Sequence, residues 1–250
     1  MLFFDIKKET KKIENAIDER ILSMGKKNEL RDACEYALKA GGKRLRPLIV
    51  LWVTEALGKG LDVFDAAVAV ELFHTSSLIA DDLPIMDDEE FRRGKLTTHK
   101  KYGETTALLA SYALIAYSYE LIGKNAETYR KQTNSDSPVC EAALKAISSC
   151  AGLNGVMTGQ LMDLSPPDQT IETIFEIIYL KTTTLFEASF SLGFIFGGGD
   201  LSLIEDLKKA AYHLGKAFQV ADDIQDSKKI KRRLLILILQ IKSAFKKQSF

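Results

Sequence analysis

Residues 77–95, SLIADDLPIMDDEEFRRGK, crowd six carboxylates together: Asp81, Asp82, Asp87, Asp88, Glu89 and Glu90, with Arg92 and Arg93 directly after them. Like charges so close repel, and some must take up protons unless a cation neutralises them. A solvated acidic loop is the plain alternative. A second group, FQVADDIQD, sets Asp222 and Asp226 one helical turn apart, with Asp223 about 100° round the axis. Each group closes a segment whose apolar residues want burial. Pro84 must end the first helix, which lets Asp87 and Asp88 fold back toward Asp81 and Asp82. Two such groups at the mouth of one bundle suit Mg²⁺, which takes one or two carboxylates per ion and fills its octahedron with water and phosphate oxygens.

The basic residues narrow the chemistry further. GGKRLRP presents Lys43, Arg44 and Arg46 after a Gly-Gly break, and FRRGK sets Arg92 and Arg93 beside the first acidic group. Arginine forks bind phosphate oxygens in bidentate fashion, and lysine adds a point charge. Acids for a metal and bases for free phosphate make a diphosphate the economical substrate. No nucleophilic Ser or Cys is needed for such a reaction, and none stands out.

The elements that must position these groups read as helices. IENAIDERIL and LRDACEYALKAGG space apolar residues by three and four, with Gly41 and Gly42 as a stop. Pro47 suits the first turn of PLIVLWVTEALG. Longer helices are expected over 63–82, 105–123, 138–164, 171–197 and 204–226, with 124–137 as a polar connection or weak helix and no credible hairpin. ALLASYALIAYSYELI and FEASFSLGFIF are apolar around most of their circumference, so they belong inside a large bundle. An aromatic stripe of this kind reads first as core.

With 250 residues, 46% of them apolar, the chain is long enough for one large core. Residues 228–250 hold eight Lys or Arg and no acid, which leaves the preceding residues at −8 although the whole is neutral. An acidic body argues against nucleic acid as partner. Three cysteines without metal-ligand spacing, Cys34, Cys140 and Cys150, read as free thiols. The start, MLFFDIKKETKK, becomes charged too early for a secretory signal, and no uncharged apolar run approaches a membrane span. A cytoplasmic protein is expected.

Taken together, GGKRLRP, ELFHTSSLIADDLPIMDDEEFRRGKLTTHKKYGE, GLNGVMTGQLMDL, YLKTTTLF and LGKAFQVADDIQD resemble the trans-prenyl diphosphate synthases (polyprenyl synthetases), in that family's order and over most of residues 41–226. The resemblance implies an all-α fold, a large antiparallel helix bundle of isoprenoid synthase type around a deep apolar cavity, over residues 1–227. It implies head-to-tail condensation of isopentenyl diphosphate with an allylic diphosphate (dimethylallyl, geranyl or farnesyl), and a homodimer. Mg²⁺ is the implied cofactor, three ions per active site, with Mn²⁺ as substitute.

Residue by residue, the resemblance places Asp81, Asp82 and Asp88 in the first metal motif with Asp87 beside them, and Asp222 and Asp226 in the second with Asp223 in support. Lys43, Arg46, His74 and Arg93 would hold the diphosphate of isopentenyl diphosphate. Arg92, Lys181 and Thr182 would hold the allylic diphosphate. Gln160 and Gln219 would line the pocket where the cationic fragment forms, and Asp81, Asp82, Lys181, Gln219 and Asp222 carry the catalytic roles. Without the resemblance, His74 in mid-helix reads as a satisfied core residue. His99 and His213 receive no role.

Ser77 and Ser76 lie four and five residues before Asp81, roughly 6–8 Å below it at 1.5 Å per residue. A bulky aromatic there would stop chain growth, and serines would not. Together with the insertion in DDLPIMDD this resembles geranylgeranyl diphosphate synthases. A farnesyl product is the alternative, with a floor supplied by Tyr112 or Tyr117. After Asp226 the chain departs from the family pattern, reading SKKIKRRLLILILQIKSAFKKQSF. The expectations for this tail, 228–250, are a truncated or frame-shifted ending or a basic amphipathic helix contacting an anionic membrane. Two rivals follow: a class I terpene cyclase, against which DDIQD and GGKRLRP speak, and a catalytically impaired partner subunit.

Overall fold

Apolar residues recurring at three and four, with almost no alternation, give a structure that is helical nearly throughout. The computed structural model describes residues 5–225; for residue 214 and residues 216–225 it describes the backbone alone. Helix α1 (Ile6–Ser23) starts where the Asp5 side chain accepts the Lys8 amide, and α2 (Glu29–Leu38) where Asn28 accepts that of Arg31. Both bury one stripe, Ile13, Ile17 and Ile21 from the first and Ala33, Cys34 and Leu38 from the second. α3 (Leu45–Leu57), α4 (Phe64–Asp81), a hairpin of β1 (Phe91–Arg92) and β2 (Lys95–Leu96), and α5 (Thr98–Tyr102) follow. The remainder is α6 (Glu104–Thr133), α7 (Val139–Ala151), α8 (Val156–Leu164), α9 (Ile171–Ile178), a π-helical turn (Tyr179–Thr183), α10 (Thr184–Phe196) and α11 (Ile204–Gln225).

Two helices form the centre. α4 buries every residue from Ala66 to Phe73 and packs along α6 and against α3 and α10. α10 buries Leu185, Phe186, Ala188, Leu192, Ile195 and Phe196 and is enclosed by α3, α7, α11 and α4. For FEASFSLGFIF, within α10, the all-round apolar character has the cause expected of it, burial on nearly every side; ALLASYALIAYSYELI, within α6, departs from the expectation, with Leu109, Tyr112 and Tyr119 exposed.

The structure differs from expectation in four places. α6 does not stop near Gly123 but runs on through the polar stretch to Thr133, the helical of the two readings given for 124–137. There Asn125 is buried, accepting the Ala66 amide and donating to the Asp62 carbonyl, so it satisfies the start of α4. The helix expected over 138–164 is broken between α7 and α8 at Gly152–Gly155. The helix expected over 171–197 contains the π turn. A hairpin is present after all, with Arg93 and Gly94 both left-handed at its turn. Strands of two residues are too short to show alternation.

α10 also carries a buried carboxyl, Glu187. Burial pushes its pKa up to about 7, against the pull of a hydrogen bond from Tyr179 and the charge of Lys208. The folded chain therefore keeps a proton that the unfolded chain, at 4.5, has released, and stability declines as pH rises between these values. Glu187→Gln removes that decline. Thermal melts at high and low pH are expected to show the variant more stable by about 2 kcal/mol at alkaline pH and no better than wild type in acid.

Candidate active site

The first acidic group sits where α4 ends. Pro84 stops the helix, and the chain turns so that the Asp87 amide donates to the Asp81 carbonyl at 2.9 Å and the Asp88 amide to that of Leu83 at 3.1 Å. Asp88 takes a left-handed conformation, φ 49°, and with Asp87 stands exposed. The fold-back expected from the sequence is thereby formed.

Asp81 and Asp82 have opposite surroundings. Asp82 is buried and receives Arg92 Nε on both carboxylate oxygens, at 2.7 and 2.9 Å. Asp81 has no such fork. Burial pushes its pKa up to about 6; Lys181 and Arg92 oppose this, and Asp87 and Asp82 add to it. A carboxylate whose charge is disfavoured by burial and that has no ion pair among the described residues is a group a cation would satisfy.

Asp81 stands at the mouth of an apolar cavity of ≈ 260 Å³. α4 contributes Phe73, Ser76, Ser77 and Ala80, α6 contributes Ser111, Tyr112 and Ile115, α8 contributes Met157, Gln160, Leu161 and Leu164, and α10 contributes Leu185. The serines do not make the wall polar. Ser76 and Ser77 donate their hydroxyls to the carbonyls of Phe73 and His74 in their own helix, at 2.7 and 3.0 Å. Gln160 is the exception: its amide oxygen and nitrogen are both buried with no hydrogen-bond partner among the described residues. Of the two tyrosines considered as a floor, Tyr112 lines the cavity. Tyr117 does not; its hydroxyl bonds Ser23 Oγ at 2.8 Å and the Arg20 carbonyl at 3.0 Å, against α1.

The basic residues gather beside this mouth. The hairpin brings Arg93 back over the loop before α3, where its Nη1 donates to the Gly41 carbonyl. Lys43 is exposed on that loop, and Arg46 in the first turn of α3 lies over the Phe186 ring at 4.9 Å. His74 faces this group; burial, then the charges of Arg46, Arg93, Arg92 and Arg44, hold its pKa well below the usual histidine value. A neutral imidazole among arginines can donate one hydrogen bond without adding charge. Lys181 and Thr182 lie in the π turn, and Lys181 Nζ meets Asp163 Oδ2 at 2.6 Å. Arg44 belongs to the core instead, paired with Glu14 and Glu71.

Sequence reasoning missed Asp163 and the pairing of Asp82. The spacing of Gln160 and Asp163 in GQLMD was the available signal for the first. Gln219, Asp222 and Asp223 lie where only the backbone is described, at the end of α11, and Asp226 and the tail 228–250 lie outside the described residues. Among the described residues no three His, Cys, Asp or Glu side chains form a ready metal cage. One carboxylate wall, Asp81 with Asp87 nearby, nevertheless fits the donor set of Mg²⁺ with phosphate oxygens. No described helix is long and apolar enough to cross a membrane.

The polyprenyl synthetase family model matches residues 27–234. The chain is 42% identical over 206 residues to geranylgeranyl pyrophosphate synthase 3, chloroplastic, of Arabidopsis thaliana, covering 79% of this chain and 55% of that protein. It is 38% identical over 218 residues to the farnesyl diphosphate synthase of Geobacillus stearothermophilus, covering 86% and 71%. The chain thus spans little more than half the length of the plant relative. Among solved structures, the apo FPP/GFPP synthase of Zymomonas mobilis superposes with a TM-score of 0.78 at 32% identity, over 90% of this chain and 82% of that one.

Proposed function

The chain belongs to the polyprenyl synthetase family, and from that membership we propose that it condenses isopentenyl diphosphate head-to-tail with an allylic diphosphate, giving geranylgeranyl diphosphate. One observation carries this reading. Asp81, a partly buried carboxylate with no ion pair among the described residues, stands at the mouth of an apolar cavity with Lys181 and the arginine cluster near it.

In this reading the allylic chain enters the cavity below Asp81, and Lys181, Thr182 and Arg92 take its diphosphate. Lys43, Arg46, His74 and Arg93 hold the second diphosphate, so that its double bond faces the allylic carbon, which makes a collision a positioned step. Asp81 and Asp88, with Asp87 beside them, would hold Mg²⁺ from one side and Asp222 and Asp226 from the other; Asp82, expected in the same motif, is paired with Arg92 in this structure. Bound there, Mg²⁺ supplies Lewis-acid withdrawal of charge from the leaving diphosphate. The allylic C–O bond breaks with its electron pair on the diphosphate, the new C–C bond forms, and a proton passes from the condensed cation to the departing diphosphate, which restores the double bond. The Gln160 oxygen, buried and without a hydrogen-bond partner among the described residues, offers a dipole to the positive carbon.

The test is incubation with Mg²⁺, isopentenyl diphosphate and each allylic primer in turn. An elongated diphosphate supports the proposal; a cyclic hydrocarbon or silence overturns it. Product length is read in the same assay. The small wall at Ser76 and Ser77 favours a twenty-carbon product, and Ser77→Phe, roughly 6 Å below Asp81, is expected to shift most product to fifteen carbons by chromatography.

A further inference from the structure

We propose that Asp163, acting with Gly159, is a positioning residue that fixes Lys181 at the cavity mouth; this rests on the condensation reading, in which Lys181 meets the allylic diphosphate. Gly159 and Asp163 are four residues apart and share one face of α8. That face takes both ends of Lys181. A Cβ at Gly159 would run into the Lys181 backbone nitrogen and would come within 2.7 Å of the Leu180 carbonyl carbon, so only glycine lets α8 approach the π turn this closely. One turn further on, Asp163 Oδ2 accepts from the Lys181 ammonium at 2.6 Å.

The π turn explains why such a grip is needed. An extra residue in one turn displaces Lys181 from the regular course between α9 and α10, and the extended turn packs on α8. A lysine stem is long and flexible, and an unrestrained one loses rotamer freedom when it meets a ligand. With one donor engaged by Asp163, two remain for phosphate oxygens. The same ammonium also acts on Asp81. Released from Asp163, it would be drawn toward that carboxylate and away from the incoming diphosphate. Asp163 therefore holds the charge between the two walls of the mouth.

The test uses the full chain in steady-state kinetics, with geranyl diphosphate varied at saturating isopentenyl diphosphate and the reverse. Asp163→Asn is expected to raise KM for the allylic substrate about tenfold and to leave that for isopentenyl diphosphate within about twofold. Asp163→Glu is expected to recover most of the loss, and Gly159→Ala to reproduce it by moving the backbone. The Asp163 side chain is 37% exposed, so thermal melts of the Asn variant should match wild type. An unchanged allylic KM in Asp163→Asn, or equal effects on both substrates, overturns the proposal. A wild-type chain that elongates nothing overturns the condensation reading instead. Calorimetric titration with farnesyl diphosphate then decides Asp163, with tenfold weaker binding expected and equal affinity refuting it.

Discussion

Asp81→Ala is expected to lower kcat/KM by about a thousandfold, the equivalent of roughly 4 kcal/mol of transition-state stabilisation, while circular dichroism stays unchanged. The reason lies in the contrast between adjacent carboxylates. Asp82 is buried against Arg92 and its charge is matched. Asp81 is held near the cavity mouth with its pKa at about 6, chiefly by burial. Two further outcomes separate this role from a structural one. Asp81→Asn keeps the shape and removes the unfavourable charge, so the ligand-free variant should be more stable than wild type at alkaline pH by about 1–2 kcal/mol. Activity and stability then move in opposite directions, as expected of a strained functional group. The second outcome is a pH profile at limiting Mg²⁺. Only the carboxylate binds a cation, so the wild-type rate should fall as pH drops through about 6. Near-normal turnover in either variant would remove Asp81 from the metal wall.

That carboxylate was readable from the sequence, and its environment was not. Four aspartates around Pro84 announce a turned-back acidic loop, because proline cannot continue a helix. Nothing local distinguishes Asp81 from Asp82, since the difference is made by Arg92, ten residues on in the first strand of a hairpin whose strands are too short to register. Long apolar segments such as α4 and α10 were legible because burial on all sides leaves a compositional trace. The extension of α6 was legible only as one of two readings, because Asn125 looks like a loop residue until α4 supplies its partners. The π turn around Lys181 leaves no periodic signal within five residues. Ser76 and Ser77 were legible as small, although their apolar presentation depends on hydroxyls turned to their own helix. For the second acidic group, Asp222 and Asp226, the sequence remains the whole of the case.

The sequence also grouped Arg44 with Lys43 and Arg46, and the fold separates them sharply. Arg44 adopts a left-handed conformation, φ 49°, just before α3, and is 3% exposed. Its guanidinium meets Glu14 of α1 at 2.7 Å, Glu71 of α4 at 2.7 Å and the Leu38 carbonyl at 2.6 Å. Every donor points into the protein, so it locks three helices together and has no fork to offer a phosphate. Arg44→Ala should destabilise the fold by about 3–5 kcal/mol, because Glu71, 2% exposed, is left buried without its counter-ion. At this chain length that is a fall in Tm of roughly 6–20 °C. The double variant Arg44→Met, Glu71→Gln discriminates between causes. If the loss comes from an uncompensated charge, removing both charges should restore at least half of it; if it comes from the lost arginine packing, the double variant should melt no higher than the single one. Because Arg44 makes no contact with the cavity, kcat of any folded Arg44 variant, measured well below its Tm, should stay near wild type. A phosphate-binding role would instead raise KM for isopentenyl diphosphate at temperatures where the fold is intact.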